Sequence, residues 1–381
     1  MIAEFYDEPQ LVPVVRLLSL SIFFNILSIV PIALNKKELR FKQMGVVNIS
    51  VQAATGIIAI IMALNGFSYF SLIIQNVLTG FISFSIFYFL YPVKIVSRIQ
   101  KSPLKRIASY SSYQFAYNFI NYFSRNLDNI LIGKYLGNAP LGYYSKSYSL
   151  MHLLVYNLTH VITPVMHPVL AKHQDDPGYI YKAYLGVLKL LAGIGFPLSV
   201  FLYFTASQLI LIMFGSQWEM SVLMFKILAL SVGIQVCMSS TSAIFQATNK
   251  TNLLFKSGLI SSVFMISGIA YGVFYGEKLI DVGYGLVVAF YINFFVVYYM
   301  LIKTALKKSF LKFLEIFLLP IAGSAVTAIA LKGVNSLKIE HVILDLLIKT
   351  FVFGLVVAVF FLIPEGNREY LQNLIKKKNK K

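Results

Sequence analysis

A stripe of polar side chains runs along one apolar stretch of this sequence. Gln114, Asn118, Asn121, Arg125 and Asp128 recur every three or four residues, which places them on one face of a helix. An ionised side chain at the centre of a bilayer costs about 3 kcal/mol, so this face is expected to meet water or protein instead of lipid. Ionisable side chains at membrane depth often mark a pathway for a substrate or an ion. The alternative is that Arg125 and Asp128 pair with each other and hold helices together.

Two further apolar stretches carry polar stripes with the same spacing. The first consists of Ser145, Ser149, His152, Tyr156, Thr159, Thr163 and His167. The second consists of Ser231, Gln235, Ser239, Ser242 and Gln246. Three polar faces on three helices predict a water-filled central cavity, in which Asn118, Asn121 and Gln235 would contact a substrate.

Several basic residues lie within or at the ends of apolar stretches. Lys146 borders the outer end of the first of these two stripes. Arg16 and Lys226 occupy equivalent places in a repeat described below. We expect them at the mouth of the cavity, with snorkelling to the membrane interface as the alternative. Snorkelling is expected for three lysines near helix ends: Lys189, Lys256 and Lys349.

The sequence shows no arrangement of residues that is typical of a metal site or of a catalytic site. His152, His160, His167 and His173 have spacings that suit no compact set of metal ligands. The sequence contains no nucleophile elbow, phosphate-binding loop or dinucleotide motif. We therefore expect no enzyme activity, no metal and no cofactor.

The composition indicates which class of protein must position these stripes. Of the 381 residues, 58% are hydrophobic and only 13% are charged, whereas soluble domains average about 25% charged residues. The mean hydropathy is +0.74. Apolar runs of about 20 residues recur along the chain, which predicts an all-α, polytopic membrane protein. About eleven spans are expected, at residues 11–34, 46–64, 68–91, 111–134, 141–169, 183–204, 219–246, 252–275, 280–302, 313–332 and 341–363.

The basic residues are distributed unevenly between the predicted loops. The formal net charge is +18, and most lysines and arginines lie in alternate loops and in the C-terminal tail. The positive-inside rule assigns those loops to the cytoplasm. In the cytoplasmic membrane the C-terminus is therefore expected inside and the N-terminus outside. A nucleic-acid partner is not expected, because the basic residues form no polar domain.

An internal repeat indicates how the spans are grouped. The segment RLLSLS, which starts at Arg16 in the first span, matches KILALS, which starts at Lys226 in the seventh. Repeats of several helices are common in transporters. A six-helix repeat predicts a partial N-lobe of three helices at 1–107 and a complete C-lobe at 108–303. Two helices and a basic tail follow at 304–381. On this interpretation about three helices are missing before the first span, and transport would require them.

Four segments resemble a known family of membrane proteins. They are RNLDNILIGKYLG, LGYYSKSYSL, LAKHQDDP and FGSQWEMSVLMFKILAL. Together they resemble the Wzx-type polysaccharide flippases of the multidrug, oligosaccharidyl-lipid and polysaccharide exporter superfamily. The similarity extends to about Ile363. Family members have two six-helix lobes and two further helices, which implies that this chain begins at the family's fourth helix.

The resemblance implies that the protein moves undecaprenyl-diphosphate-linked oligosaccharide across the membrane by alternating access. Arg125 would attract the diphosphate, and Asp128 would tune that charge or carry a coupling proton or cation. The partners would be the lipid-linked oligosaccharide, membrane lipids and polysaccharide assembly proteins. Two alternatives remain. A cation-coupled drug extruder would have an acidic cavity, and a membrane glycan polymerase or ligase would have a large outer loop.

Overall fold

The protein is helical throughout the part of the chain that the structure describes. The structure is a computed structural model that describes residues 2–38, 40–92, 126–159 and 176–362, together with Tyr122 and Leu170. Every regular element in these ranges is a helix, which confirms the all-α class. The chain divides into two compact units, Met1–Asn118 and Phe119–Lys381. The predicted lobe boundary between residues 107 and 108 lies outside the described residues.

The first unit contains three long helices. A short helix α1 (Ile2–Tyr6) precedes α2 (Leu11–Lys37), α3 (Phe41–Leu64) and α4 (Phe70–Leu90). Helix α4 packs against both α2 and α3. Gly80 lies where α4 approaches α2, and a Cβ at this position would lie at contact distance, 3.4 Å, from the Ser21 carbonyl oxygen. On the other side of α4, the Thr79 hydroxyl donates to the Thr55 hydroxyl oxygen at 3.0 Å.

The other described helices belong to the second unit. The first of them is α5, which consists of residues 126–135. The others are α6 (Asn138–Thr159), α7 (Pro177–Phe204), α8 (Ala206–Phe214), α9 (Ser221–Ala229), α10 (Val232–Met238), α11 (Thr241–Ala247), α12 (Thr251–Tyr271), α13 (Leu279–Tyr299), α14 (Phe310–Leu314), α15 (Leu318–Ser336) and α16 (Val342–Leu362). Short π-helical segments extend α12 to Gly276 and α13 to Ala305. Helix α7 is central, because it packs against α10, α15 and α16.

The predicted spans correspond to real helices. Among the described residues, eight helices are long and apolar enough to cross a membrane, and a bent pair adds a ninth. The two remaining predicted spans, 111–134 and 141–169, fall partly outside the described residues. Exposed faces carry large apolar side chains such as Ile49, Ile60 and Leu72. Such faces suit contact with lipid, where the backbone groups must be satisfied within the helix.

The span predicted at 219–246 is broken. Helix α9 and the segment Val232–Ala247 meet at an angle of 49°. Close packing accompanies the break, since a Cβ at Gly233 of α10 would lie 3.0 Å from the Gly195 carbonyl oxygen of α7. The Gly233 N–H donates to the Ser199 hydroxyl oxygen at 2.7 Å, which satisfies a backbone donor near the break. Broken helices of this kind occur at the binding sites of membrane transporters.

Helices α12 and α13 touch at their backbones through Gly268 and Gly285. A Cβ built on either glycine would overlap the carbonyl oxygen of the other. We expect Gly285→Ala to destabilise the protein by about 1–3 kcal/mol, because the helices must separate to admit the methyl group. Chemical unfolding of the purified protein in detergent measures this change. Gly258→Ala on α12 is the control, since a Cβ there meets open space. Equal stability of the two variants would contradict the prediction.

Candidate functional site

A cavity lined by both polar and apolar side chains lies between α5, α6 and α12 of the second unit. Its volume is about 920 Å³, within the range of about 300–1,000 Å³ that is usual for ligand sites. The lining residues with polar groups are Asn126, Asp128 and Asn129 on α5, Tyr148, Ser149, His152 and Tyr156 on α6, and Ser261 and Ser262 on α12. The aliphatic part of the lining consists of Leu153, Met265 and Ile269. The cavity is therefore suited to a ligand with many hydrogen-bonding groups.

Asp128 is the one carboxylate among the described lining residues, and its side chain is held in a defined orientation. The residue is only 6% exposed. The Asn129 backbone N–H donates to Oδ1 at 2.8 Å, and the Tyr144 hydroxyl donates to Oδ2 at 2.5 Å. Tyr144 is fully buried on α6, so packing fixes the position of its hydroxyl. These two donors compensate part of the cost of removing the carboxylate from water.

Helix α6 presents two different faces. Its cavity face carries His152 and Tyr156, whose ring centres are 6.3 Å apart and whose planes are inclined by 19°. Another face is tied to α9, because the buried Ser147 hydroxyl donates to the Ser221 carbonyl oxygen at 2.9 Å. Helical spacing predicted the cavity face from the sequence. Among the described members of that stripe, Ser149, His152 and Tyr156 line the cavity, whereas Ser145 and Thr159 do not.

The α12 side of the cavity was not predicted from the sequence, because no predicted polar stripe contains a residue of that helix. The Ser261 hydroxyl donates to the Ser257 carbonyl oxygen at 2.6 Å and also contacts the Asn293 amide oxygen. The Ser262 hydroxyl donates to the Gly258 carbonyl oxygen at 3.0 Å. A signal for this face exists in the sequence. Ser257 and Ser261 are one helical turn apart in an otherwise apolar span, with Ser262 adjacent.

Among the residues that the sequence predicted as substrate contacts, as distinct from the wider polar stripes, Asp128 is the one in the described part of the chain that lines this cavity. Three others lie outside the described residues: Asn118, Asn121 and Arg125. Arg16 is exposed on α2 in the first unit. Gln235 is half-buried, and its amide lies 3.2 Å from the Met151 sulfur. This contact joins α10 to α6.

The two lysines that were predicted at the cavity, Lys146 and Lys226, each lie over at least one aromatic ring. The Lys146 ammonium is 5.3 Å from the ring centre of Phe214 and 5.2 Å from that of Trp218. The Lys226 ammonium is 5.8 Å from the ring centre of Tyr203. Such cation–π contacts are worth about 0.5–1 kcal/mol at exposed sites and more where water is excluded. Aromatic contacts therefore orient both ammonium groups.

A buried charge pair lies on α16. Lys349 is 2% exposed, and its Nζ lies 2.7 Å from Oδ2 of Asp345. The same ammonium donates to the Phe204 carbonyl oxygen at the end of α7, at 3.3 Å, and the Gln208 amide donates to Asp345. The snorkelling predicted for Lys349 is therefore wrong. The carboxylate one turn away pairs with the ammonium inside the protein, and the ammonium in turn caps an orphan carbonyl.

The helical fold and the cavity define a membrane protein with the architecture of a transporter. A profile of the family described as "Polysaccharide biosynthesis protein" matches residues 1–223, and this chain belongs to that family. The family resemblance predicted from the sequence is thereby confirmed.

Three curated relatives illustrate the family. Teichuronic acid biosynthesis protein TuaB of Bacillus subtilis (strain 168) is 26% identical over 242 residues, covering 62% of this chain and 49% of TuaB. Lipopolysaccharide biosynthesis protein WzxC of Escherichia coli (strain K12) is 23% identical over 334 residues, covering 84% and 65%. Succinoglycan biosynthesis transport protein ExoT of Rhizobium meliloti (strain 1021) is 23% identical over 279 residues, covering 72% and 56%. The matches thus span about half to two thirds of each relative's length.

A solved structure shares the fold. The lipid II flippase MurJ in its inward closed conformation matches with a TM-score of 0.62 and 17% sequence identity. The match covers 95% of this chain and 73% of MurJ. At this level of identity the likeness concerns the fold alone.

Proposed function

We propose that this protein moves undecaprenyl-diphosphate-linked oligosaccharide across the cytoplasmic membrane, for export of surface polysaccharide. The observation that carries the proposal is the cavity of about 920 Å³ between helices of a membrane protein, which has hydrogen-bonding groups on all three helices that line it. The names of three relatives refer to teichuronic acid, lipopolysaccharide and succinoglycan, and the fold neighbour is a lipid II flippase. A cavity that opens to each side in turn would move the substrate by alternating access.

The cavity would replace water around the hydrophilic part of the substrate. A hydroxyl or amide that enters hydrocarbon without a partner costs about 2–7 kcal/mol. A sugar chain therefore crosses only where the protein supplies donors and acceptors, such as those of Asn126, Asn129 and Ser149. We further propose that Arg125 attracts the diphosphate by its charge and planar donor geometry. Asp128 would tune that charge.

Purified protein in liposomes provides the test, with about three helices restored before the first span, which the sequence repeat predicts to be necessary for transport. The probe is a fluorescently labelled lipid-linked oligosaccharide, extracted from the organism that carries the gene. We expect the protein to make probe in the inner leaflet accessible to an external lectin faster than in protein-free vesicles. A labelled phosphatidylethanolamine is the control and should not change leaflets faster. Equal rates for the oligosaccharide with and without protein would contradict the proposal.

A second candidate function is the extrusion of organic cations. The observation in its favour is that the described cavity wall combines the Asp128 carboxylate with the ring of Tyr156, two groups that attract a cation. The same vesicles distinguish the two functions. Export of tetraphenylphosphonium without movement of the lipid-linked oligosaccharide would favour the extruder.

We propose that the N-terminus of this chain lies outside the cytoplasmic membrane and the C-terminus inside. The concentration of lysine and arginine in alternate loops and in the tail supports this orientation. Alkaline phosphatase fused after Lys381 is expected to be inactive, because that enzyme requires an extracytoplasmic location. Green fluorescent protein at the same position is expected to fluoresce. The opposite pair of results would reverse the orientation.

A further inference from the structure

We propose that the α6 and α12 walls of the cavity bind the sugar portion of the substrate and not its diphosphate. This inference rests on the function proposed above. The described lining residues include the Asp128 carboxylate and no lysine or arginine. A diphosphate placed in this described part of the cavity would be repelled by the Asp128 carboxylate of α5, and the low dielectric of a cavity strengthens that repulsion. Neutral hydroxyls are not repelled and can donate to it.

The α6 wall supplies flat aromatic surface. His152 and Tyr156 are one helical turn apart, with ring centres 6.3 Å apart and planes only 19° from parallel. Tyr156 is 48% exposed, so part of its surface remains available to a ligand. A pyranose ring has an apolar C–H face and a rim of hydroxyls. Aromatic side chains cover apolar surface and, in Tyr and His, place a polar atom at its edge.

The α12 wall supplies hydrogen-bond acceptors. The hydroxyl hydrogens of Ser261 and Ser262 are directed to carbonyl oxygens of their own helix at 2.6 and 3.0 Å. Their oxygens can therefore accept hydrogen bonds from a ligand. Sugar hydroxyls donate readily, whereas a diphosphate brings only acceptor oxygens at neutral pH. The donor and acceptor pattern of this wall thus matches a sugar better than a phosphate.

Binding of two lipids to the full chain in detergent separates the two kinds of recognition. The first lipid is the pool of lipid-linked oligosaccharide extracted from the organism that carries the gene. The second is undecaprenyl diphosphate without sugar. We expect Tyr156→Leu to weaken binding of the first about tenfold and to leave binding of the second unchanged. Tyr156→Phe retains the ring, and we expect it to weaken binding of the first lipid no more than about threefold.

Tyr275→Leu is the matched control, because Tyr275 is 82% exposed and is not among the lining residues of the cavity. It should change neither affinity. Equal loss for both lipids with Tyr156→Leu, or loss for neither, would overturn the sugar assignment. A wild-type protein that binds neither lipid would overturn the proposed function itself. Binding of tetraphenylphosphonium that Tyr156→Leu weakens, without an effect on the sugar-bearing lipid, would assign the wall to organic cations instead.

Discussion

Lys349→Met is expected to lower the free energy of unfolding by about 3–5 kcal/mol. The substitution removes the ammonium that lies 2.7 Å from the Asp345 carboxylate, which is itself only 6% exposed. A buried carboxylate that loses its counter-charge keeps its desolvation cost without the compensating attraction. The Phe204 carbonyl oxygen at the end of α7 also loses a donor. Chemical unfolding of the purified protein in detergent measures the loss.

A double variant separates charge from packing. Asp345→Asn/Lys349→Met removes both charges at similar side-chain volume, so we expect it to recover most of the stability lost by Lys349→Met. Lys256→Met is the matched control, because that lysine is exposed on α12. Its effect should stay within about 0.5 kcal/mol. If Lys349→Met unfolds no more easily than Lys256→Met, the buried pair does not stabilise the packing of α16 beside the end of α7.

Asp128→Asn is expected to lower the rate of lipid-linked oligosaccharide translocation at least about tenfold. Asp128 is the carboxylate of the described cavity wall, and Tyr144 and Asn129 hold it in place. A hydrogen bond to a charged group contributes about 1.5–3 kcal/mol, and 1.4 kcal/mol corresponds to a factor of ten. The loss of a single ligand contact is therefore enough to produce the effect. The liposome assay described above measures the rate.

Asp176→Asn is the matched control for this variant, because it makes the same chemical change away from the cavity. Asp176 is the N-cap of α7, where its Oδ1 accepts from the Tyr179 backbone N–H at 2.9 Å. Asparagine is an equally good N-cap, so transport and stability should both be retained. Translocation by Asp128→Asn at the wild-type rate would show that the carboxylate is not part of the transport site.

The alternative ion-pair hypothesis for Arg125 and Asp128 is tested by Arg125→Ala/Asp128→Asn. If Arg125 serves only to neutralise Asp128, this double variant should recover the stability and the transport that Arg125→Ala loses. If Arg125 binds the diphosphate, stability should recover and transport should not. Arg125→Lys keeps the charge without the planar fork, so it is expected to retain part of the activity.

Local properties of the sequence determined the class of protein and the positions of most helices. An apolar run can satisfy its backbone in lipid only as a helix or in a closed barrel, and a run of about 20 residues has the length of a membrane helix, about twice that of a membrane strand. The predicted span at 11–34 is Leu11–Lys37 in the structure, and that at 280–302 lies within Leu279–Ala305. Helical spacing also identified Ser149, His152 and Tyr156 as one face of α6.

Only the tertiary structure decided which neighbour each polar face meets. Spacing along one helix places Asp128 on a polar face, but only packing shows that Tyr144 of α6 donates to it and that the serines of α12 line the same cavity. The same lack of information about packing explains why the prediction for Lys349 was wrong. Its distance from a helix end suggested snorkelling, whereas the contacts with Asp345, Gln208 and Phe204 bury it. These contacts join residues far apart in sequence, and a one-dimensional pattern carries no information on which helices become neighbours.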